Sequence, residues 1–201
     1  ADSLTVTNAA KTTSGAIQLA VTNAAKLGSI SSASGTTVTA STLTVAGAAN
    51  SGGATSLTTT GAIDLGSLNA GTTATASGAS IKVAGLAQSG GAMNLTATGT
   101  TIDVGSITSG GDVATNSKTK TTLGAVNAGG TLGITADALS VSNTAKSAGA
   151  MQLTVANAAE LGAVDGGSSV TVKAGSLKVT GSTSSTGALG ITTTGATTLG
   201  A

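Results

Sequence analysis

"GAMQLTVANAAELGA" (149–163) occurs along this chain in five versions. The others are "GAIQLAVTNAAKLGS" (15–29), "GATSLTTTGAIDLGS" (53–67), the one-residue-longer "GAMNLTATGTTIDVGS" (91–106) and "GALGITTTGATTLGA" (187–201). Inside the phrase the aliphatic residues alternate: Ile17, Leu19 and Val21 in one copy, Met151, Leu153 and Val155 in another. Period two is the mark of a strand with one buried face. Thr and Val fill these runs, and both suit a pleated surface. Each run is short and is closed by Gly, Asn or Ser, the residues that end strands.

Cutting at each Gly-rich step gives, after a partial first segment, 13–33, 34–50, 51–70, 71–88, 89–109, 110–128, 129–146, 147–166, 167–184 and 185–201. Two kinds of segment alternate. The first carries the opening phrase. The second ends in an apolar-x-Val strand, as in "STLTVAGAA" (41–49), "ASIKVAGLA" (79–87), "ALSVSNTAK" (138–146) and "GSLKVTGST" (175–183). Leu4, Leu43 and Ile81 mark a pair length of 38 or 39 residues, and Leu139 and Leu177 repeat it. The gap of 58 between Ile81 and Leu139 requires one extra segment, placed at 110–128. So little chain per segment suits one turn of a coil better than a hairpin. Stacked coils bring equivalent strands into parallel register ~4.8 Å apart. The expected fold is all-β: a right-handed parallel β-helix (β-solenoid) of about ten coils of 17–21 residues, forming a single repeat domain over 1–201.

Several columns follow from this frame. Asn23, Gly61, Gly99, Asn157 and Gly195 share one position, and these residue types predict a corner with positive φ. Gly28, Gly66, Gly105, Gly124, Gly162 and Gly200 share another. Lys26, Asp64, Asp103, Thr122, Glu160 and Thr198 should face outward, because the aliphatic residue beside each faces in. Met93 and Met151 should fill the core in one column with Ile17 and Leu189, with Thr55 a polar exception. A narrow interior accounts for the absence of aromatic side chains, and ladder hydrogen bonds account for the absence of proline.

Glycine-led alternating strands, an Asn/Gly corner and a following "LGSLNAG" (65–71) or "LGAVNAGG" (123–130) resemble the repeat shaft of filamentous haemagglutinin-like exoproteins. These are large adhesins of Gram-negative bacteria secreted by the two-partner pathway. The resemblance covers nearly the whole chain. It implies an extracellular, secreted or surface-attached shaft, an outer-membrane transporter for export, and a host or bacterial cell-surface receptor as partner. The family's N-terminal secretion domain and any C-terminal toxin or receptor-binding module are not seen. The chain then corresponds to a piece of shaft, or to a relative made of shaft alone.

Composition narrows the function classes. Net charge is +1 with 7% charged residues, which argues against nucleic acid, whose phosphates demand clustered Lys and Arg. No apolar run approaches the ~20 residues of a membrane span. The N-terminus has neither the basic nor the apolar region of a signal peptide. With no His, Cys or Tyr, most catalytic constellations cannot be assembled, and no enzyme, cofactor or metal is expected. The acids are Asp2, Asp64, Asp103, Asp112, Asp137, Glu160 and Asp165. Asp64 and Asp103 share a column but lie two coils apart, ~10 Å by strand spacing, a poor separation for a glycosidase pair. "GGD" (110–112) occurs once, without the repetition of a calcium roll. "SGGAT" (51–55) and "SGGAM" (89–93) lack the Lys-Ser/Thr of a phosphate loop.

Three functions remain. One is a non-catalytic adhesin shaft or surface filament. Another is a matrix or sheath subunit polymerised end to end. A third is ice binding, suggested by threonine columns Thr58, Thr96, Thr154, Thr192 and Thr22, Thr60, Thr98, Thr194, which alternate coils are expected to interrupt. The stretch after Lys178, 179–201, carries no charged side chain to oppose docking of another strand edge. The coils are therefore expected to continue into further chain or to stack on an identical subunit.

Overall fold

The structure is a computed structural model that describes residues 1–200. Among them there is no helix, and the strands alternate short and long from Ile17–Ala20 and Ala24–Ser32 to Leu189–Thr193 and Thr197–Leu199. Short strands pair only with short strands, in a 10-stranded sheet. Long strands form a 12-stranded sheet, which counts Ser176–Val179 and Thr183–Ser185 separately although both pair with Ala158–Gly166. All pairings are parallel, and each strand meets its counterpart one coil away. This is a β-solenoid of about ten turns, as the repeat predicts.

Each long strand bends. In Ala24–Ser32 the inward residues are Ala25 and Leu27, then Ile30 and Ser32. The phase of burial shifts at Gly28, so the strand covers two faces and the short strand a third. The interior is one continuous aliphatic column system, with Ile30, Leu57, Leu65, Leu95, Ile102 and Leu123 among its fully buried members. Met93 and Met151 are wholly buried in the column of Ile17 and Thr55, as expected. Leu189 heads the same column on the last coil and is half exposed there.

The 38-residue pair has a geometric cause. At the bend in the long strand, one kind of coil has a single glycine and the other has two residues. Gly66 faces Ala46 and Gly47, and the register slips there between Val45 and Ala48. Gly162 likewise faces Ser142 and Asn143. The corner after the short strand compensates. Thr60, Gly61 and Ala62 lie between the inward Thr59 and Ile63, but only Ser41 and Thr42 lie between Ala40 and Leu43. The extra residue thus changes corner from coil to coil. The inserted segment 110–128 breaks this alternation. Gly105 and Gly124 stack directly, and Ile102–Ser109 pairs with Lys120–Ala128 without a register shift.

The corner at Asn23, Gly61, Gly99, Asn157 and Gly195 corrects one expectation, because no described residue has positive φ. The restriction there comes from stacking. A Cβ on Gly61 would stand 2.9 Å from both the Ser41 carbonyl oxygen and Thr42 Cγ2, and one on Gly99 would stand 3.0 Å from the Ala79 oxygen. Asn157 instead uses its side chain, donating from Nδ2 to Asp137 Oδ1 at 2.9 Å.

Buried hydroxyls sit where the chain leaves the long strand. Ser32, Ser51, Ser89, Ser109 and Ser147 point inward at this corner. Ser89 donates to the Gly91 carbonyl at 2.8 Å and Ser147 to that of Gly149 at 3.0 Å. Ser32 is hydrogen-bonded to Thr36 across this corner, and Ser117, at the end of the short strand Val113–Ser117, to Thr121 across the next, each at 2.8 Å. Thr55 differs: its Oγ1 is buried and has no hydrogen-bond partner. Thr55→Val keeps the shape and removes this unpaired group. It should raise stability by about 1 kcal/mol, whereas Thr121→Val, which orphans Ser117, should lower it by about as much. Thermal melts of the two variants check the contrast.

Candidate functional surface

Each coil offers three outward surfaces. On the first half of the long strands, pairing joins Lys26, Thr44, Asp64, Lys82, Asp103 and Thr122 into one column. It continues through Ser140, Glu160, Lys178 and Thr198. All these side chains are exposed except the half-buried Thr122 and Ser140, so the outward assignment holds. Lys82 stands between Asp64 and Asp103 on the intervening coil. A lysine thus separates the two carboxylates along the column. A shallow, open depression of about 160 Å³ lies beside Glu160, Lys178 and Ser142 on this surface.

The second half of the long strands carries a column that the 38-residue reading did not find: Ser31, Asn50, Asn69, Gln88, Thr108 and Asn127, then Lys146 and Asp165. Its members come alternately from the two kinds of coil. Reading the chain at a step of about one coil would have exposed it. At its upper end Lys146 Nζ lies 3.1 Å from Asp165 Oδ2, with both side chains about half exposed. The hydrogen bond from this ammonium, helped by one from Ser184, holds the Asp165 carboxyl below its ordinary value. An exposed pair of this type contributes at most about 1 kcal/mol.

The acidic residue of "GGD", Asp112, occupies an exposed corner. The Thr131 amide donates to its Oδ1 at 2.7 Å and lowers the carboxyl pKa. This is a turn contact between successive coils. Among the described residues no three His, Cys, Asp or Glu side chains converge as metal ligands.

The short strands form the third surface. Its two outward columns are Gln18, Thr37, Ser56, Thr75, Asn94, Ala114, Gly133, Gln152, Thr171, Gly190 and Ala20, Thr39, Thr58, Ser77, Thr96, Asn116, Thr135, Thr154, Lys173, Thr192. The expectation that alternate coils interrupt the Thr58 column is thus corrected: those coils supply Thr39, Ser77 and Thr135. Short strands of both kinds pair in one constant register, so their hydroxyls align even though the flanking sequence differs. The Thr22, Thr60, Thr98, Thr194 column is interrupted as expected, because the second kind of coil is one residue shorter at that corner. Comparison with known protein families, with curated proteins and with solved structures found no match for this chain.

Proposed function

We propose that this chain is a length of rigid, non-catalytic shaft in an extracellular adhesin or surface filament, as its resemblance to filamentous haemagglutinin-like exoproteins implies. The observation that carries the proposal is the unbroken coil-to-coil pairing from Leu4–Lys11 to Thr197–Leu199, with one continuous core beneath it. Stability in such a stack is a sum of coils and of interfaces between neighbours. Length can then grow without limit while the cross-section stays fixed, which is what a shaft requires. The partly buried Leu4, Val6 and Leu19 at one end and the exposed Leu189 and Leu199 at the other are strand-edge residues of the core. Further coils of the same chain, or an identical subunit in a sheath or matrix, would cover them.

Excising residues 53–90 removes one complete pair of coils and preserves their alternation. The shortened chain should fold and should lose ~10 Å of rod length, two rungs of ~4.8 Å, in small-angle scattering. Labelled 201-residue and shortened chains should both be retained on cell surfaces. A shortened chain that fails to fold, or a 201-residue chain that scatters as a compact globule, would contradict the shaft. Absence of cell retention would contradict the adhesive role.

A further inference from the structure

We propose that the short-strand face over residues 37–96 binds the surface of ice. This inference stands apart from the shaft reading and rests on three features of that face.

The first feature is regularity. Every pairing within the short-strand sheet runs without a register shift, whereas all but one of the long-strand pairings spanning the bend slip there. On the short-strand face the outward residues form a two-dimensional lattice that no register slip interrupts. Its spacings are ~4.8 Å between coils and ~6.7 Å between alternate residues of one strand. Both lie close to the oxygen repeats on the prism surface of hexagonal ice.

The second feature is chemistry. Thr37 and Thr39, Ser56 and Thr58, Thr75 and Ser77, and Asn94 and Thr96 occupy this lattice on four successive coils. Corner hydroxyls are engaged with the protein: Thr59 donates to the Gly61 carbonyl at 2.7 Å and Thr98 to that of Gly78 at 3.2 Å. The eight lattice side chains have no such internal partner; Thr37, Thr39, Thr58, Thr75 and Asn94 are exposed to water, and Ser56, Ser77 and Thr96 are half-buried. A β-branched side chain has few χ1 choices, so threonine hydroxyls and methyls are already ordered before water meets them. Pre-organisation of this kind lowers the entropy cost of binding.

The third feature is what the face lacks. Lys173 is the one charged residue on a short strand, and it lies outside the 37–96 region. A mineral or a nucleic acid would need a dense array of charge. A protein partner would need anchors, and the residues that most often supply them are Trp, Tyr and Arg; the chain has no Trp or Tyr and its eight basic residues are all Lys. A polysaccharide would find no aromatic ring to stack on. An uncharged, periodic, hydrogen-bonding solid is the ligand whose chemistry the lattice matches. Above Thr96 the pattern lapses at Ala114 and Gly133, where a shallow hollow opens, so the site is confined to the lower coils.

The test is thermal hysteresis and ice-crystal shaping by the 201-residue chain. Wild type should shape growing crystals and hold them below the melting point. Replacing Thr58 and Thr75 together by Tyr should abolish both effects, and Thr58→Val with Thr75→Val should weaken them. Asn69→Tyr with Thr108→Tyr, on a different face, should leave them intact. Circular dichroism melts establish which variants are folded, and the valine pair serves if the tyrosine pair is not. Wild type without hysteresis would overturn the proposal. So would folded face variants with full activity, or equal loss in the Asn69/Thr108 control. Retention of wild type on crystalline cellulose with no effect on ice would also overturn it and assign the lattice to a polysaccharide.

Discussion

Leu153→Asp should unfold most of the solenoid, at a cost of about 4 kcal/mol or more, in the range reserved for buried unpaired charge. Leu153 is 1% exposed, and its column neighbours on the adjacent coils are Ile134 and Val172. None of these offers a carboxylate a proton donor, and the narrow interior gives water no route to it. Removing the leucine also leaves a cavity that neighbouring coils, held by their own backbone ladders, cannot collapse to fill. Because coils depend on their neighbours, amide exchange should accelerate first in the coils around Ile134, Leu153 and Val172. Glu160→Gln, on the exposed column, should change stability by no more than about 0.5 kcal/mol. Equal melting of the two variants would reverse the inward and outward assignment.

Gly66→Val should be nearly as damaging, for a backbone reason. A Cβ at Gly66 would lie 2.6 Å from the carbonyl oxygens of both Ala46 and Gly47. Those oxygens belong to the two-residue bulge of the coil below, so they can retreat only by breaking the ladder. Overpacking a rigid site costs about 1–3 kcal/mol, and valine adds two further carbons to a position with no room for one. The expected loss is at the upper end of that range. Gly15→Ala is the control. Nothing lies within 4 Å of a Cβ there, and φ is not positive. It should be neutral or stabilise by up to about 1 kcal/mol through the unfolded chain.

These two sites show how much of the molecule the sequence reveals. Leu153 is legible because its alternation with Met151 and Val155 can only be a strand with one buried face. The column of Gly66 is legible as a repeated glycine, and the 58-residue gap correctly locates the inserted coil at 110–128. The cause of the glycine is not legible, since it depends on two residues of a neighbouring coil slipping past one. The same limit explains the corner at Gly61: a column of Asn and Gly predicts positive φ, and the structure shows crowding by Ser41 and Thr42 instead. The surface was the least legible part. Charge alternation at Asp64, Lys82 and Asp103, the amide column through Asn50, Asn69 and Gln88, and the hydroxyl lattice of Thr39, Thr58 and Ser77 each draw members from both kinds of coil. Aligning only like coils, 38 residues apart, hides every second member.

The coil-to-coil register is the claim on which all else rests, and the absence of cysteine makes it directly measurable. Thr58 and Ser77 are Cα partners on adjacent coils, ~4.8 Å apart and within the span a disulfide can bridge. Thr58 and Thr96 share the same column but lie two coils apart, ~10 Å by the same spacing. Under mild oxidation the double variant Thr58→Cys, Ser77→Cys should form an intramolecular disulfide in the folded chain, and Thr58→Cys, Thr96→Cys should not. Bridging of the second pair, or failure of the first in a folded protein, would contradict the solenoid register.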